Sequence, residues 1–134
     1  MSPEEMWAAD VASRTFGMEL LEVSDGRAVV RMTVRDDMAN GHGMCHGGIV
    51  AALADSAFAL ACNSRGVPTV AAGFDVAFLA PAQVGDVLVA TAVERSLRGR
   101  SGIYDVAVRR DDDRDDTVAE FRGRSRALRD RRPG

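Results

Sequence analysis

Two polar features interrupt an apolar stretch of the chain and are candidates for chemistry. The loop 40–48, NGHGMCHGG, holds both histidines and leads into a run of small apolar residues that contains one acid, Asp55. The first N–H groups of a helix have no partner within the helix, and the helix dipole makes that end positive. Gly47 and Gly48 would leave such N–H groups open to a carbonyl oxygen that is becoming an oxyanion. Alternatively, the glycines only permit a tight entry from loop to helix.

Asp55 is the second candidate, because a carboxylate in an alanine-rich helix is costly to bury unless it is paired or used. It is therefore either a base or nucleophile in a dry cleft, or an acid on an exposed edge or a cap for a neighbouring loop. Gly47 and Asp55 are separated by about 12 Å along a helix that rises ~1.5 Å per residue. One carbonyl group cannot easily contact both. An antiparallel helix of a second subunit would supply the other group, so the distance predicts a composite site at a twofold interface.

The same loop suggests a rival, a metal site. His42, Cys45 and His46 have the spacing of three candidate ligands, but a fourth ligand is not evident, and we expect no metal. Cys45 has no base beyond the neighbouring histidines, so we do not expect a catalytic thiol either. Cys62 is expected to fill the core, and two cysteines do not make a disulfide framework.

The composition narrows the class of partner. A chain of 134 residues predicts a single domain over residues 1–134. Its net charge of −3 gives no general attraction to nucleic acid or to an anionic membrane. The N-terminus lacks a basic region followed by an apolar run, so we expect no secretory signal. No apolar stretch reaches the roughly 18 residues of a membrane span. All 17 basic residues are arginine, which reflects genome composition or phosphate binding through a planar fork of donors. We expect a cytoplasmic protein without a cofactor.

Turn signals and periodicity predict the elements before the candidate helix. A capping box formed by Ser2 and Glu5 starts a short helix that should end near Gly17. Two strand-like runs around residues 25–26, Asp-Gly, predict a hairpin.

A buried helix is predicted for residues 46–64, because a helix of this sequence would be apolar on nearly every side. Four strands follow Pro68, with an acidic turn at 111–116 and a frayed tail at 130–134. Consecutive strands with short turns favour an antiparallel sheet. The sequence therefore predicts an α+β fold in which one sheet curls around the long helix.

Together these residues resemble the hotdog-fold acyl-CoA thioesterases, most closely the phenylacetyl-CoA thioesterase group. The resemblance is carried by Asn40, by His46-Gly47-Gly48 and by LADSAFALACNS, which contains Asp55. It extends to GFDVAFLAPAQVGDVL, GRSGIYDVAVRR and AEFRGRSR, and so covers about residues 10–128. It implies the hotdog fold, an acyl-CoA substrate, and a homodimer with one continuous sheet, usually paired into a homotetramer.

The resemblance also implies roles for residues at the subunit interface. The Gly47 N–H would polarise the thioester carbonyl, and Asp55 of the facing subunit would be the general base or nucleophile. Asn40 would hold the attacking water or the acyl group, and His46 would position the loop and the thioester. The residues expected to bind the rest of the substrate are Gly48, Arg100, Ser101, Gly102, Arg122 and Arg124.

One departure from the family pattern concerns a hydroxyl group. Related enzymes often carry a hydroxyl residue on the strand that faces the acyl group, whereas here that strand begins VAAG at residues 70–73. Thr69 is the nearest hydroxyl. A chain without a strand hydroxyl must hold the attacking water with another group or manage without it.

Three functions remain open at this point. The first is hydrolysis of an acyl-CoA with a compact aromatic acyl group, since alanines such as Ala51 and Ala54 leave room for a ring. The second is a hotdog dehydratase or hydratase, which would use a histidine with a separate acid on the helix. The third is a non-catalytic acyl-CoA-binding protein, against which Asp55 argues because a binder needs no buried base.

Overall fold

The computed structural model describes residues 1–114 and 116–130. Two short helices, α1 and α2, precede a hairpin of β1 and β2. A 3-10 turn then leads into the long helix α3, and four strands follow. The bounds are α1 Pro3–Ala8, α2 Val11–Thr15, β1 Glu19–Ser24, β2 Arg27–Thr33, the 3-10 turn Asp36–Met38, α3 Gly47–Cys62, β3 Thr69–Phe78, β4 Val87–Arg98, β5 Ser101–Arg110 and β6 Thr117–Ala127.

The strands form one sheet of six, in the order β1-β2-β4-β5-β6-β3, and every neighbouring pair is antiparallel. Helix α3 packs against every strand of this sheet. Buried and less buried residues alternate along β5 and β6, as expected of strands with one face on a core. The predicted hairpin, long helix, four following strands and α+β class are thus confirmed. The sheet wrapped around α3 is the hotdog arrangement.

The N-terminal segment differs from the prediction. The single helix expected to end near Gly17 is wrong, because the segment is split at Ala9 and Asp10. Ala9 caps the end of α1, and Asp10 begins α2 as its N-cap, accepting a hydrogen bond from the Ser13 N–H at 2.9 Å. An aspartate satisfies free N–H groups at a helix start, so a second helix begins where the first ends. The predicted capping box of Ser2 and Glu5 is confirmed.

Strand β3 lies at the edge of the sheet and pairs with β6 alone among the described strands. Residues 79–86 then carry the chain back to β4 in the middle of the sheet. Large apolar side chains of β3 remain exposed on this edge, including Val70 at 48%, Phe74 at 41% and Phe78 at 53%. An unpaired edge with exposed apolar residues is a template for pairing with another chain.

The core contact between α3 and the sheet depends on a glycine in β6. Phe58 of α3 is buried and packs between Tyr104 and Phe121, with ring centroids 5.6 and 5.8 Å away. Its ring lies so close to Gly123 that an added Cβ would stand 2.8 Å from three ring carbons. The ring cannot move away without displacing its aromatic neighbours.

We therefore expect Gly123→Ala to destabilise the fold by about 1–3 kcal/mol, the usual cost of overpacking a core. Urea denaturation monitored by circular dichroism measures this free energy of unfolding. The matched control is Gly41→Ala, since nothing lies within 4 Å of a Cβ at that position. Equal stability of the two variants would show that the Phe58 ring has room to shift.

The remaining predicted features fall at the end of the chain. The acidic turn is confirmed for the residues described, and Arg110 anchors it by donating hydrogen bonds to Asp116 at 2.8 Å and Asp86 at 2.5 Å. Asp115 and most of the predicted frayed tail, residues 131–134, lie outside the described residues.

Within residues 1–114 and 116–130, no helix is both long and apolar enough to cross a membrane.

Candidate active site

Helix α3 begins with one backbone donor left open. His46 is the N-cap, and its Nδ1 accepts a hydrogen bond from the Gly48 N–H at 3.0 Å. The Gly47 N–H, by contrast, donates to no acceptor among the described residues. The first helical N–H has no partner inside the helix and sits at the positive end of the dipole. Of the two glycines, Gly47 therefore carries the donor available to a ligand, and His46 holds the loop beside it.

Asn40 closes the loop before α3 and presents a second donor. Its Oδ1 accepts hydrogen bonds from the N–H groups of His42 at 2.8 Å and Met44 at 3.1 Å. Because two N–H donors face this atom, it must be the amide oxygen rather than the nitrogen. The side-chain NH₂ group has no acceptor among the residues described, so it is available to a ligand. The loop geometry thus leaves donors on both Asn40 and Gly47.

These two residues line one cavity of about 310 Å³. Its walls are otherwise mainly apolar and include Phe78, Pro81 and Val118. The Phe78 ring lies against the start of α3, and a Cβ added to Gly47 would stand 3.1 Å from its Cζ. A mainly apolar cavity with a few polar groups is the usual form of a small-molecule site.

Asp55 lies in a different cavity, of about 210 Å³, two turns further along α3. This second cavity is also lined by Asp10, Ser13 and Phe16 from the N-terminal segment, and by Ser56 beside Asp55. One chain therefore does not bring Gly47 and Asp55 together in a shared cavity. Sequence reasoning missed Asp10, Ser13 and Ser56, although an aspartate before a short helical stretch is a recognisable N-cap and could have identified Asp10.

Burial raises the pKa of Asp55 above the usual range of an aspartate, and the nearby charge of Asp10 raises it further. The side chain is half-buried, so the charged form loses part of its hydration. A carboxylate with a raised pKa is a stronger base than an ordinary aspartate. A raised pKa is the direction of shift that favours a carboxylate as a general base at neutral pH.

The raised pKa predicts that Asp55→Asn stabilises the fold at neutral pH. Above its folded-state pKa, Asp55 is charged in a partly dry site, which penalises the folded state. Below the pKa of the unfolded chain it is protonated in both states, so the penalty vanishes. Denaturation at several pH values should show a stability gain at pH 7 that shrinks as the pH falls through the folded-state pKa.

Glu120→Gln removes an exposed acid of β6, away from any helix end, and is the control for charge alone. A loss of stability in Asp55→Asn at neutral pH would mean that the Asp55 carboxylate has a stabilising partner in the assembled protein.

The loop does not assemble the rival metal site. His42 is exposed, and Cys45 is buried with its Sγ directed at the His46 carbonyl, 3.7 Å away. Residues 1–114 and 116–130 contain no group of three His, Cys, Asp or Glu side chains that could hold a metal ion. Burial raises the pKa of the Cys45 thiol, which disfavours the nucleophilic thiolate. Cys62 is buried in the core, as expected.

The residues predicted to bind CoA line neither cavity. Arg122 donates to both carboxylate oxygens of Asp105, at 2.6 and 2.8 Å. Arg124 donates to Asp75 at 3.0 Å, and the Arg100 Nε donates to the Ala127 carbonyl at 3.0 Å.

Three further residues, Gly102, Ser101 and Thr69, have local packing or hydrogen-bond roles. Gly102 is buried, and a Cβ there would stand 2.6 Å from the Ser125 Oγ, so packing requires this glycine. Ser101 accepts a hydrogen bond from Arg126 at 3.2 Å. Thr69 is buried and its hydroxyl donates to the Val67 carbonyl at 2.8 Å. The Thr69 hydroxyl proton is thus already donated within the chain.

The chain is similar in sequence and fold to known proteins. The model of the thioesterase superfamily matches residues 42–117. The chain is 42% identical over 123 residues to acyl-coenzyme A thioesterase PaaI of Escherichia coli K12, covering 92% of this chain and 86% of that protein.

Two solved structures superpose closely. The E. coli PaaI protein from the phenylacetic acid degradation operon gives a TM-score of 0.91 at 40% identity, with 95% of this chain and 91% of that one covered. The TT0310 protein of Thermus thermophilus gives a TM-score of 0.84 at 40% identity, with 89% and 98% covered. The family match includes His46, Gly47 and Asp55 together with the strands around them. The chain therefore belongs to the thioesterase superfamily and is a thioester hydrolase with the hotdog fold.

Proposed function

We propose that the protein hydrolyses acyl-CoA thioesters with a compact aromatic, phenylacetyl-type acyl group, at sites shared between two subunits. The observation that carries the proposal is the separation of Gly47 and Asp55. One α3 helix holds an open backbone donor in one cavity and an acid with a raised pKa in another. Two antiparallel α3 helices would place the donor of each subunit beside the acid of the other.

The proposed reaction uses the two donors and the acid. The thioester carbonyl oxygen accepts a hydrogen bond from the Gly47 N–H, which stabilises the negative charge that develops there. The NH₂ group of Asn40 holds the acyl group. The Asp55 carboxylate of the facing subunit takes a proton from water, and the water oxygen bonds to the carbonyl carbon. The C–S bond then breaks, and the sulfur of CoA receives the proton from Asp55.

The exposed edge of β3 supports the homodimer. Pairing of this edge with the same edge of a second copy would extend the sheet across both subunits and cover Val70, Phe74 and Phe78. Two-fold pairing of identical strand edges is self-complementary. Assembly of two such dimers into a homotetramer is the further step that the family resemblance implies. The cytoplasmic location stays a prediction.

The apolar cavity beside Gly47 supports an aromatic acyl group. Its walls include the ring of Phe78, and a second ring can pack against an aromatic side chain with favourable geometry. The E. coli relative is named as an acyl-CoA thioesterase, and its solved structure is described as coming from a phenylacetic acid degradation operon. We therefore propose a role in the degradation of aromatic compounds.

A panel of CoA esters tests the function directly. Thiol release would be followed with phenylacetyl-CoA, straight-chain acyl-CoA esters and an enoyl-CoA. We expect the highest kcat/KM for the aryl ester. Hydration of the enoyl-CoA without thiol release would favour the dehydratase or hydratase alternative. Tight binding of every ester without turnover would favour the non-catalytic binding protein.

Arginine recognises phosphate through paired, charge-assisted hydrogen bonds, so Arg100 and Arg124 are the arginines we assign to the CoA tail. Each guanidinium group donates a single described hydrogen bond, which leaves other N–H groups for phosphate. We expect Arg100→Ala or Arg124→Ala to raise KM for acyl-CoA more than it lowers kcat. The phosphates lie far from the reacting carbonyl and bind about equally in the ground and transition states.

A truncated pantetheine thioester is the control substrate, because it lacks those phosphates. Its kinetics should hardly change in either variant. Equal losses on both substrates would show a structural fault, and the CoA-tail assignment would be withdrawn. Arg122→Ala serves as a comparison, since both Asp105 oxygens already accept its hydrogen bonds.

A further inference from the structure

A chain of hydrogen bonds connects the start of α2 to the turn of α3 that carries Asp55. The Ser13 hydroxyl donates to the Asp10 Oδ2 at 2.6 Å, while the Ser13 N–H donates to Oδ1 at 2.9 Å. The Ser13 Oγ also lies 2.8 Å from the Ser56 Oγ. Ser13 is 4% exposed, so water does not compete for these bonds. The chain ends at Ser56, which lines the same cavity as Asp55.

The direction of these bonds follows from the number of protons. A carboxylate only accepts hydrogen bonds, and a hydroxyl has one proton to donate. The proton of Ser13 is used on Asp10, so the bond between the serines must be donated by Ser56. The proton of Ser56 therefore points toward Ser13, and lone pairs of its oxygen stay free to accept. Ser56 and Asp55 thus present two acceptors to one cavity.

Two acceptors side by side match the two protons of a water molecule. A water that donates one proton to the Asp55 carboxylate and the other to the Ser56 Oγ turns its lone pair away from both. That lone pair is the nucleophile in hydrolysis. Holding it toward the carbonyl removes orientational freedom before the reaction, which is a large source of rate enhancement.

We propose that Ser56 positions the attacking water, and that Asp10, acting through Ser13, sets the direction in which the Ser56 hydroxyl points. The inference deepens the proposed function and rests on it. Water gives one proton to Asp55 as its oxygen bonds to the carbonyl carbon, and Ser56 keeps its own proton throughout. Asp10 and Ser13 act through Ser56 in this scheme, so they are positioning residues.

The charges around the cavity agree with this assignment. Helices α1 and α2 and the strands β1–β6 all pack against α3. Among their described residues, Asp10 is the only charged group that lines the cavity with Asp55. Its negative charge contributes to the raised pKa of Asp55. Asp10 therefore acts on the site in two ways, through the hydrogen-bond chain and through its charge.

The first test removes the acceptor. We expect Ser56→Ala to lower kcat for the aryl-CoA about tenfold with little change in KM, the effect of one hydrogen bond made in the transition state. Ser56→Thr restores a hydroxyl and should recover most of the activity. Thr15→Ala is the matched control, because the Thr15 hydroxyl on α2 only donates to the Val11 carbonyl. A kcat within about twofold of wild type in Ser56→Ala would overturn the proposal, since one lost hydrogen bond costs more.

The second test reverses the chain without removing the helix cap. In Asp10→Asn, the amide oxygen can still accept from the Ser13 N–H, but the NH₂ group cannot accept from the Ser13 hydroxyl. Ser13 would then donate to Ser56 and occupy its lone pair. We expect a lower kcat, and an acid limb of the pH–kcat profile at lower pH because the charge of Asp10 is lost. In the Ser56→Ala background, Asp10→Asn should lower kcat by a smaller factor than it does in the wild type, because its effect through the hydrogen-bond chain is already removed.

A purely structural role of Asp10 would make the two losses in kcat multiply in full in the double variant. Carboxyl ¹³C NMR of Asp55 in wild type and Asp10→Asn measures the same pKa change without turnover. The parallel variant Asp55→Asn separates the two proposals. If it is inactive while Ser56→Ala and Asp10→Asn behave as wild type, the positioning role is wrong and the proposed function stands. Near-normal turnover in Asp55→Asn would show that Asp55 is not the general base. The positioning role proposed here would then be wrong as well.

Discussion

Replacing Asp55 with asparagine is expected to lower kcat by ~10²-fold or more, the usual contribution of a general base. Asparagine has nearly the same shape but cannot take a proton from water. The side chain is half-buried in a helix whose other residues at this level are small, so the substitution should fit without rearrangement. Thiol release from the aryl-CoA under saturating substrate measures kcat, while circular dichroism and size-exclusion chromatography establish that the fold and the oligomer are intact.

The control for this experiment is Asp25→Asn, which removes an exposed acid from the hairpin turn between β1 and β2. Its kcat should equal that of the wild type. If a correctly assembled Asp55→Asn protein turned over at a near-normal rate, Asp55 would be neither base nor nucleophile. The raised pKa would then reflect only the burial of an acid that the reaction does not use.

Mixing two inactive variants is expected to restore activity if the sites are composite. The first variant is Asp55→Asn, and the second is Gly47→Pro, which removes the open N–H. Proline suits the first position of a helix. The preceding residue, His46, already has the extended conformation that a following proline requires, with φ −58° and ψ 130°.

Each mixed dimer would contain one site with both groups intact and one site with neither. Random exchange of equal amounts should therefore recover about a quarter of the wild-type activity, since about half of the dimers are mixed and half of their sites work. Subunit exchange must be shown independently, for example by fluorescence transfer between labelled subunits. Each variant mixed with itself is the control. Full exchange without recovered activity would place Gly47 and Asp55 of the same chain in one site.

Several features of this protein were predictable because they depend on residues close together in sequence. The capping box of Ser2 and Glu5, the turn at residues 25–26 and the long apolar helix are each set by local propensity or periodicity. The alternation of buried and exposed residues in β5 and β6 is likewise a local pattern. Gly47 and Asp55 could be singled out for the same reason, since each is unusual within its own few residues.

Tertiary structure decided how these parts meet. Strand β3 follows α3 in sequence yet lies at the far edge beside β6, because residues 79–86 are long enough to return the chain to the middle of the sheet. The hydrophobic periodicity of the sequence does not indicate such a crossing. The split of the N-terminal helix brings Ser13 within 2.8 Å of Ser56, which is 43 residues later in the chain. Contacts of this kind depend on packing between distant segments, so sequence alone could identify Asp55 but not the residues that surround it.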